Sequence, residues 1–455
     1  MKRFVFKSVL ACALSVGLLA ACGSSGGKTS ESGKTSESSQ TSQQTSSQET
    51  SASAGESSAQ ESSASSADYS IKVWAAEGVK DLFQSQANTW AKAIKDAGGA
   101  EIEVTVQPVG EGDAAANMIS DVQAGADLYC FAQDQLAVLR SAGALTEIVD
   151  ANIKGKIHDE NDEVSYNAAC VGDALVALPL TSDNGYFMYY DTEFFAGHEE
   201  VLENMTDLIA YCKAGERTIY MQNVGSAWYN ASFFMAYDCT STWETNTEGL
   251  FTAYEDNYNS REGVKACKAM YELIKEDTVF VDGSDASVAF DGNAAVCVSG
   301  TWDSNAAKTK LGARFGAAKL PQVTVDGDTR QLGCFFGCKL LGIKPQTDAL
   351  KGAYVTNLAQ YFSAKDAQLA RYNSNGWGPS NLQAQQDEAV KADVALGALN
   401  AQTAANSVMQ GQYPNGWWTA AATIAANLQK SGGTDAEIRT ILSTYAGSID
   451  SFING

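Results

Sequence analysis

The chain has 455 residues, of which 45% are hydrophobic, and it carries a formal net charge of −23 at pH 7. This acidic balance argues against nucleic acid and anionic lipid headgroups as partners. Residues 68–455 contain enough apolar and aromatic side chains to predict two lobes rather than one.

Residues 1–22 have the composition of an export signal. Three of the first seven residues are basic, and the segment from there to Ala21 is almost wholly apolar. The ending Leu19-Ala20-Ala21-Cys22 resembles the lipobox of bacterial lipoproteins, in which the cysteine takes a diacylglycerol and becomes the first residue after cleavage. An ordinary secretory signal and an uncleaved membrane helix are the alternatives, although the apolar run is short for the ~20 residues that cross a bilayer. We expect residues 1–21 to be removed and Cys22 to be lipidated, which places the protein on the extracellular face of a bacterial cell membrane.

Residues 22–67 form the predicted linker between this anchor and the body. After Cys22 they are Gly, Ser, Thr, Gln, Glu, Lys and Ala only, so no hydrophobic core offsets the conformational entropy that folding would cost. A flexible chain of this length reaches about 35–40 Å root-mean-square. The linker is therefore expected to hold a folded body away from the membrane without fixing its orientation.

The body contains eight cysteines, which fall inside apolar runs such as Ala294-Ala295-Val296-Cys297-Val298. They lack the loop spacing of a disulfide framework, so we expect most of them to be buried free thiols. A zinc site is not expected, because the chain has two histidines, His158 and His198, and no CxxC spacing. The sequence predicts no metal and no other cofactor.

The body predicts alternating strands and helices. The predicted elements are a strand at 69–75, a helix at 78–97, a strand around Ile102 to Val106, a helix at 114–124, a strand at 126–131 and a helix at 133–142. Similar units recur between 200 and 300, and from Ala389 the chain is almost entirely helical. This order predicts an α/β fold with a largely parallel sheet.

Several motifs follow one another along the body. They are Ile71-Lys72-Val73-Trp74, Gly125-Ala126-Asp127-Leu128-Tyr129, Phe131-Ala132-Gln133-Asp134, Pro179-Leu180-Thr181-Ser182-Asp183-Asn184-Gly185-Tyr186, Ser299-Gly300-Thr301-Trp302-Asp303, Gly316-Ala317-Ala318-Lys319-Leu320-Pro321, Gly376-Trp377-Gly378-Pro379-Ser380 and Trp417-Trp418. In their order they resemble the extracellular solute-binding proteins of bacterial ABC sugar importers, the maltose- and maltodextrin-binding type. The resemblance covers essentially all of residues 68–455.

The resemblance implies a two-lobed, periplasmic-binding-protein-like α/β fold with a hinge and a ligand cleft between the lobes. Residues 68–181 with 320–387 would form the N-terminal lobe, and residues 185–316 with 388–455 the C-terminal lobe. Closure of the lobes would bury the ligand.

The resemblance also implies which residues contact a sugar. Aromatic rings match the apolar C–H face of a pyranose, whereas carboxylates and amides pair with its hydroxyl groups. The candidate ligand-binding residues are Glu77, Phe131, Asp134, Asp183, Trp228, Tyr229, Trp302, Asp303, Trp377, Trp417 and Trp418.

Several candidates have a structural alternative. Asp134 is also a suitable helix cap, and Asp183 begins an Asp-Asn-Gly sequence that is typical of turns. Glu77 departs from the charged pair that the resembled proteins have at that point. Trp417 and Trp418 would point about 100° apart on a helix, so one of them is expected in the cleft and the other in the core.

The main functional hypothesis is a lipid-anchored, monomeric receptor that captures an oligosaccharide of the malto-oligosaccharide type and delivers it to ABC transporter permease subunits. No catalysis is expected. One alternative is the same fold with a non-sugar solute such as a polyamine, held by ion pairs and cation–π contacts. Another is an extracellular glycoside hydrolase, which needs two carboxylates about 5–10 Å apart across a glycosidic bond.

Overall fold

The computed structural model describes residues 67–281 and 285–454. The predicted signal peptide, the predicted lipidation site Cys22 and nearly all of the predicted linker lie outside the described residues. Within the described ranges, no helix has the length and apolar character needed to cross a membrane.

The strands of the described chain lie in two five-stranded sheets and several two-stranded pairs. In chain order they are β1 (Tyr69–Ala75), β2 (Ile102–Pro108), β3 (Leu128–Ala132), β4 (Cys170–Val171), β5 (Ala174–Leu175), β6 (Ala177–Pro179), β7 (Phe187–Asp191), β8 (Thr218–Tyr220), β9 (Ser241–Thr245), β10 (Phe251–Asp256), β11 (Val279–Phe280), β12 (Ala294–Ser299), β13 (Phe315–Ala318), β14 (Gln322–Val325), β15 (Asp328–Gln331), β16 (Cys334–Phe336), β17 (Lys339–Ile343) and β18 (Ser407–Met409).

Helices cover the sheets and form most of the C-terminal part. In chain order they are α1 (Glu77–Asp96), α2 (Ala114–Ser120), α3 (Leu136–Ser141), α4 (Ala151–Glu160), α5 (Glu163–Ala168), α6 (Met205–Ala214), α7 (Ala227–Ala236), α8 (Arg261–Ile274), α9 (Ala286–Asp291), α10 (Ser304–Leu311), α11 (Ala349–Ser363), α12 (Lys365–Asn375), α13 (Glu388–Lys391), α14 (Val394–Ala405), α15 (Asn415–Leu428), α16 (Asp435–Ile449) and α17 (Ser451–Asn454).

The first lobe is built on the sheet with strand order β2-β1-β3-β17-β6. Helix α1 packs on it through Val79, Phe83 and Trp90, which lie on one face because they are four and seven residues apart. Phe83 meets Phe362 of α11 with ring centroids 4.7 Å apart. We call this sheet and its core the first lobe.

The second lobe is built on the sheet with strand order β11-β8-β12-β7-β13. Strand β12 is buried at every position and helix α7 likewise, as expected of elements covered on both sides. Leu320, Val323 and Phe335 pack into this second core. The predicted α/β architecture with two lobes is confirmed, while the exact division of the chain between them stays a prediction.

A largely parallel sheet was expected, and two of the four strand pairings in the first sheet are parallel. Strand β1 pairs in parallel with β2 and β3, but β17 is antiparallel to β3 and β6. Strand β17 follows β16, whose Phe335 lies in the second core, so the chain enters the first sheet from the side of the second lobe. That entry gives β17 the opposite direction to β3.

The cysteines agree with the expectation that most are buried free thiols. Cys170 is half-buried and free, and Cys297 is buried with its Sγ directed at the carbonyl of Val298. The remaining members, all buried and free, are Cys130, Cys212, Cys239, Cys267, Cys334 and Cys338.

Candidate functional site

The two lobes meet where the chain crosses between them. Asp183 lies in the connection from β6 to β7 and is fully buried. Its carboxylate accepts a hydrogen bond from the hydroxyl of Thr301, which begins a short 3-10 turn after β12 of the second lobe. Burial raises the pKa of Asp183, whereas the nearby Lys339 and the Thr301 hydroxyl lower it. This hydrogen bond joins the lobes at the hinge.

A second set of contacts joins the lobes through the segment between β18 and α15. The side-chain amide of Gln412 donates to the carbonyl oxygen of Gln133 at 2.8 Å, and its Oε1 accepts from the backbone N–H of Ala137 at 2.8 Å. The tip of the β9–β10 hairpin also touches α3, since a Cβ added at Gly249 would lie 2.2 Å from the carbonyl oxygen of Ala137. The lobes therefore touch each other around Gln133 and Ala137.

Aromatic side chains gather along this boundary, and we call them the aromatic cluster: Tyr186, Trp228, Tyr229, Phe335, Tyr413 and Trp418. Trp228 stacks on Phe335 with centroids 4.9 Å apart, and Trp418 lies 5.0 Å from Tyr413. The Trp228 indole N–H is buried and has no hydrogen-bond partner among the described residues. Such a donor is costly to leave unpaired, so the cluster has capacity for a polar ligand atom.

Trp302 is half-buried against the second core. Its ring lies directly over the backbone of Gly300, because a Cβ added there would be 1.9 Å from the indole. Glycine is therefore required at position 300 for the ring to take this position.

Asp134 follows β3 in a short 3-10 turn, Gln133–Gln135, and is buried. No side-chain hydrogen bond caps this turn or α3, so the capping alternative does not apply to this residue. Burial raises the pKa of Asp134 to about 7. Burial and, after it, the charge of Asp134 raise the pKa of Tyr413. The Oδ1 of Asp134 has no hydrogen-bond partner in the described part of the chain.

Asp303 has well-defined structural partners. Its Oδ2 accepts hydrogen bonds from the Ser299 hydroxyl at 2.6 Å and from the backbone N–H of Ala286 at 3.1 Å. Burial raises the pKa of Asp303 to about 6. These bonds tie the start of α9 to the turn that carries Thr301 and Trp302.

Trp377 belongs to a charged group beneath the hinge, which we call the lysine cluster: Glu111, Asp183, Lys339 and Trp377. The Lys339 Nζ lies 3.0 Å from the centroid of the Trp377 ring and 4.0 Å from the Oε1 of Glu111. Burial lowers the pKa of Lys339 to about 8, against the raising effect of Glu111 and Asp183. Glu111 and Lys339 are not among the residues expected from the sequence.

The remaining candidates lie elsewhere. Phe131 is fully buried in the core of the first lobe beside Tyr129. Trp417 is fully buried in the second core and donates from its Nε1 to the Tyr445 hydroxyl at 2.9 Å. Glu77 is exposed at the start of α1 and pairs with Lys80 at 3.0 Å. The structure therefore brings together Asp134, Asp183, Trp228, Tyr229, Trp302, Asp303, Trp377 and Trp418 along the lobe boundary.

No group of His, Cys, Asp and Glu side chains within residues 67–281 and 285–454 has the arrangement of a metal site. The polar groups at the boundary are carboxylates, which accept hydrogen bonds, and an ammonium group, an indole N–H and hydroxyls, which donate them. Aromatic faces lie beside these groups. This combination suits a neutral ligand that carries many hydroxyl groups.

Residues 89–398 match the profile of a protein family described as bacterial extracellular solute-binding protein. No curated protein matches the sequence.

Solved structures resemble the chain over most of its length. Maltodextrin-binding protein MalE1 from L. casei BL23 is 20% identical with a TM-score of 0.69, over 84% of this chain and 98% of that one. The maltose/maltodextrin-binding domain MalE from Bdellovibrio bacteriovorus, bound to maltotriose, is 16% identical with a TM-score of 0.71. The match covers 85% of this chain and 100% of that one. The GacH receptor of Streptomyces glaucescens GLA.O, solved without ligand and with acarbose, is 16% identical with a TM-score of 0.69. The match covers 85% of this chain and 98% of that one. At these identities the likeness establishes the fold.

Proposed function

Because the chain belongs to the bacterial extracellular solute-binding proteins, we propose that it is a carbohydrate receptor of an ABC transporter. It captures an oligosaccharide at the boundary between the lobes and delivers it to permease subunits. The observation that carries this proposal is the aromatic cluster, which lies beside the buried Asp134 and includes the unpaired indole N–H of Trp228.

The cluster provides the two kinds of contact that a pyranose needs. The rings of Trp228 and Trp418 offer flat apolar surface for the C–H face of a sugar. Asp134 and Trp228 offer a carboxyl oxygen and an N–H group whose hydrogen-bonding capacity is unused. A ligand without hydroxyl groups at these points would leave both groups unpaired and would bind more weakly.

A malto-oligosaccharide is the ligand that we favour. Structures with the same fold include proteins solved with maltotriose, maltotetraose or acarbose. We place the ligand contacts of this chain on Asp134, Asp183, Trp228, Tyr229, Trp302, Asp303, Trp377 and Trp418. Closure of the lobes over the sugar exchanges solvent for these contacts, and no bond in the sugar is broken.

We also propose that the receptor is monomeric and is held at the outer face of the cell membrane by a lipid on Cys22. Expression of the full chain in a bacterium with a radiolabelled or alkyne-tagged fatty acid tests the anchor. The natural chain should take up label and remain with membranes, whereas Cys22→Ser should be unlabelled and found in the medium or the soluble fraction. Label on Cys22→Ser, or none on the natural chain, would refute lipidation at this residue.

A polyamine is the second candidate ligand, because Asp134, Asp183 and Glu111 place three buried carboxyl groups near aromatic rings. Salt dependence separates the two ligand classes. A polyamine would lose affinity steeply between 50 and 500 mM salt, whereas a neutral sugar would not.

A thermal-shift panel tests the proposed ligand class directly. Malto-, xylo- and manno-oligosaccharides and spermidine are each added at millimolar concentration, and ligand that binds only the folded state raises Tm. We expect the malto series to give the largest increase, with no shorter products after overnight incubation. An increase with spermidine alone would contradict the sugar proposal, and shorter products would indicate a hydrolase.

A further inference from the structure

The lysine cluster contains a buried ammonium group with few partners. Lys339 is the first residue of β17, and its side chain is 1% exposed. Its Nζ faces the ring of Trp377 on one side at 3.0 Å. The backbone N–H of Lys339 donates to the Thr181 hydroxyl, but no described residue accepts a hydrogen bond from the Nζ. An ammonium group has three N–H donors, so donor capacity is left over.

Glu111 leaves an acceptor unused at the same place. Its side chain is also 1% exposed, and its Oε1 has no hydrogen-bond partner among the described residues. The Lys339 Nζ is 4.0 Å from this oxygen, which is too long for a direct hydrogen bond. A buried charge is normally fully paired, so the gap between the two groups requires an explanation.

The separation suits one hydroxyl oxygen. An oxygen about 2.8 Å from both atoms fits between groups that are 4.0 Å apart. A hydroxyl group accepts from the ammonium and donates to the carboxylate at the same time, which neither a ligand carboxylate nor a ligand ammonium can do. The charges around Lys339 come from two carboxyl groups, Glu111 and Asp183, and a second basic group, Arg371. They balance one another, so the cluster has no excess charge that would hold a charged ligand group.

The second lobe touches this cluster at Asp183 and beside Trp377. Asp183 accepts its hydrogen bond from Thr301, and a Cβ added at Gly376, next to Trp377, would lie 3.4 Å from the Thr301 carbonyl oxygen and from the Ser304 Cβ. Separation of the lobes would remove Thr301 and Ser304 from Asp183 and from Gly376. We place the entry of the ligand to the cluster in this open state.

We propose that Lys339 and Glu111 hold one hydroxyl group of the bound oligosaccharide, with Trp377 fixing the position of the ammonium, and so form a subsite that selects an uncharged sugar. This inference rests on the proposed function. It adds two specificity-determining residues that neither the motifs nor the aromatic cluster indicates.

Calorimetry with maltotetraose and a series of its monodeoxy derivatives tests the subsite. The full chain is used in a detergent without a sugar headgroup, together with Glu111→Gln and Lys339→Met. Each variant should bind maltotetraose about 10- to 100-fold more weakly than the natural chain, as expected for a lost hydrogen bond to a charged group. Lys344→Met is the control, because Lys344 bonds to the carbonyls of Gln123 and Gly125 on another side of the first lobe.

The deoxy series separates a ligand contact from a merely structural role. In the natural chain one monodeoxy derivative should bind at least about 10-fold more weakly than maltotetraose. In Glu111→Gln and Lys339→Met that same derivative should bind within about threefold of maltotetraose, because the partner of the missing hydroxyl is already gone.

The possible failures are distinguishable. Unchanged affinity for maltotetraose in both variants would overturn the subsite alone. The subsite would also be overturned if each monodeoxy derivative lost as much affinity relative to maltotetraose in the variants as it does in the natural chain. A natural chain that binds none of the malto-oligosaccharides would overturn the proposed function as well. Thermal melting of each variant without ligand verifies that the folded state is retained.

Discussion

Trp417 and Trp418 are neighbours in the chain, yet they have different surroundings. Trp417 is fully buried and bonded to Tyr445, whereas Trp418 is half-buried beside Tyr413 and Phe335. Trp418→Ala should lower the affinity for maltotetraose by about 10-fold, because a stacked ring contributes about 0.5–1.5 kcal/mol beyond its buried area. Calorimetry measures this affinity, and the melting temperature should change little.

Trp417→Ala is the matched comparison. Removal of a large buried side chain should lower the free energy of unfolding by about 3–5 kcal/mol, which urea unfolding measures. If Trp418→Ala binds as tightly as the natural chain, this ring does not contact the ligand.

Asp134 gives the stability of the free protein a pH dependence. Burial raises the pKa of Asp134 to about 7, so the folded state keeps this proton at pH values where the unfolded chain has lost it. The folded state then binds more protons between about pH 4 and pH 7, and the free energy of unfolding falls as pH rises through that range. Between about pH 4 and pH 7 this one group lowers the free energy of unfolding by up to about 4 kcal/mol.

Asp134→Asn should remove this contribution. As pH rises from 4 to 8, the melting temperature of Asp134→Asn should therefore increase relative to that of the natural chain. Asp81→Asn, on the exposed side of α1, should follow the natural chain throughout. Parallel melting curves for Asp134→Asn and the natural chain would contradict this assignment.

Residue types could be predicted at this scale, but their partners could not. The aromatic residues that form the boundary follow strands or begin helices. The motifs indicated Trp302 and Trp418, and the family resemblance indicated Trp228. Lys339 and Glu111 gave no such signal, because Lys339 lies in an apolar strand and Glu111 in a glycine-rich loop. A tertiary contact between β17 and the end of β2 defines their role, and spacing along the chain does not encode it.

At the scale of elements, the hydrophobic pattern predicted the first strand and helix well. Strand β1 lies at the predicted residues, and α1 is displaced by one residue. Helix α2 ends at Ser120 although the apolar pattern predicted a helix to Ala124. The carboxylate of Asp121 accepts from the backbone N–H groups of Gln123 and Ala124, and this local bonding replaces the last helical turn.

The hydrogen bond from Thr301 to Asp183 links an element of each lobe and should favour the closed arrangement. Thr301→Val removes the donor and leaves the Asp183 carboxylate buried without it, which costs about 1–3 kcal/mol in the closed state. We expect the radius of gyration of the ligand-free protein to increase in small-angle X-ray scattering. The affinity for maltotetraose should fall, because a smaller share of the protein occupies the closed state.

Thr301→Ser keeps the hydroxyl and serves as the control for this variant. It should scatter and bind like the natural chain. An unchanged radius of gyration in Thr301→Val would mean that this hydrogen bond does not set the balance between open and closed lobes.

At the scale of the whole molecule, separate cores on the two sheets explain why a single chain forms a cleft. Each sheet buries its own set of apolar side chains, so the lobes are held together by the crossing segments and by polar contacts at the boundary. The sequence predicted two lobes from its apolar content and from the motif order. The sequence did not predict which surface of the first lobe contacts which surface of the second, because Gln133, Ala137 and Gln412 are brought together only in the folded chain.

The central claim is that this chain binds a malto-oligosaccharide between its lobes. Calorimetric titration of the full chain with maltotetraose, in a detergent without a sugar headgroup, is the most direct test. We expect saturable binding of one sugar per chain with Kd in the micromolar range or below, together with a negative heat-capacity change from the burial of apolar surface. The absence of binding below millimolar Kd with the whole malto series would contradict the account.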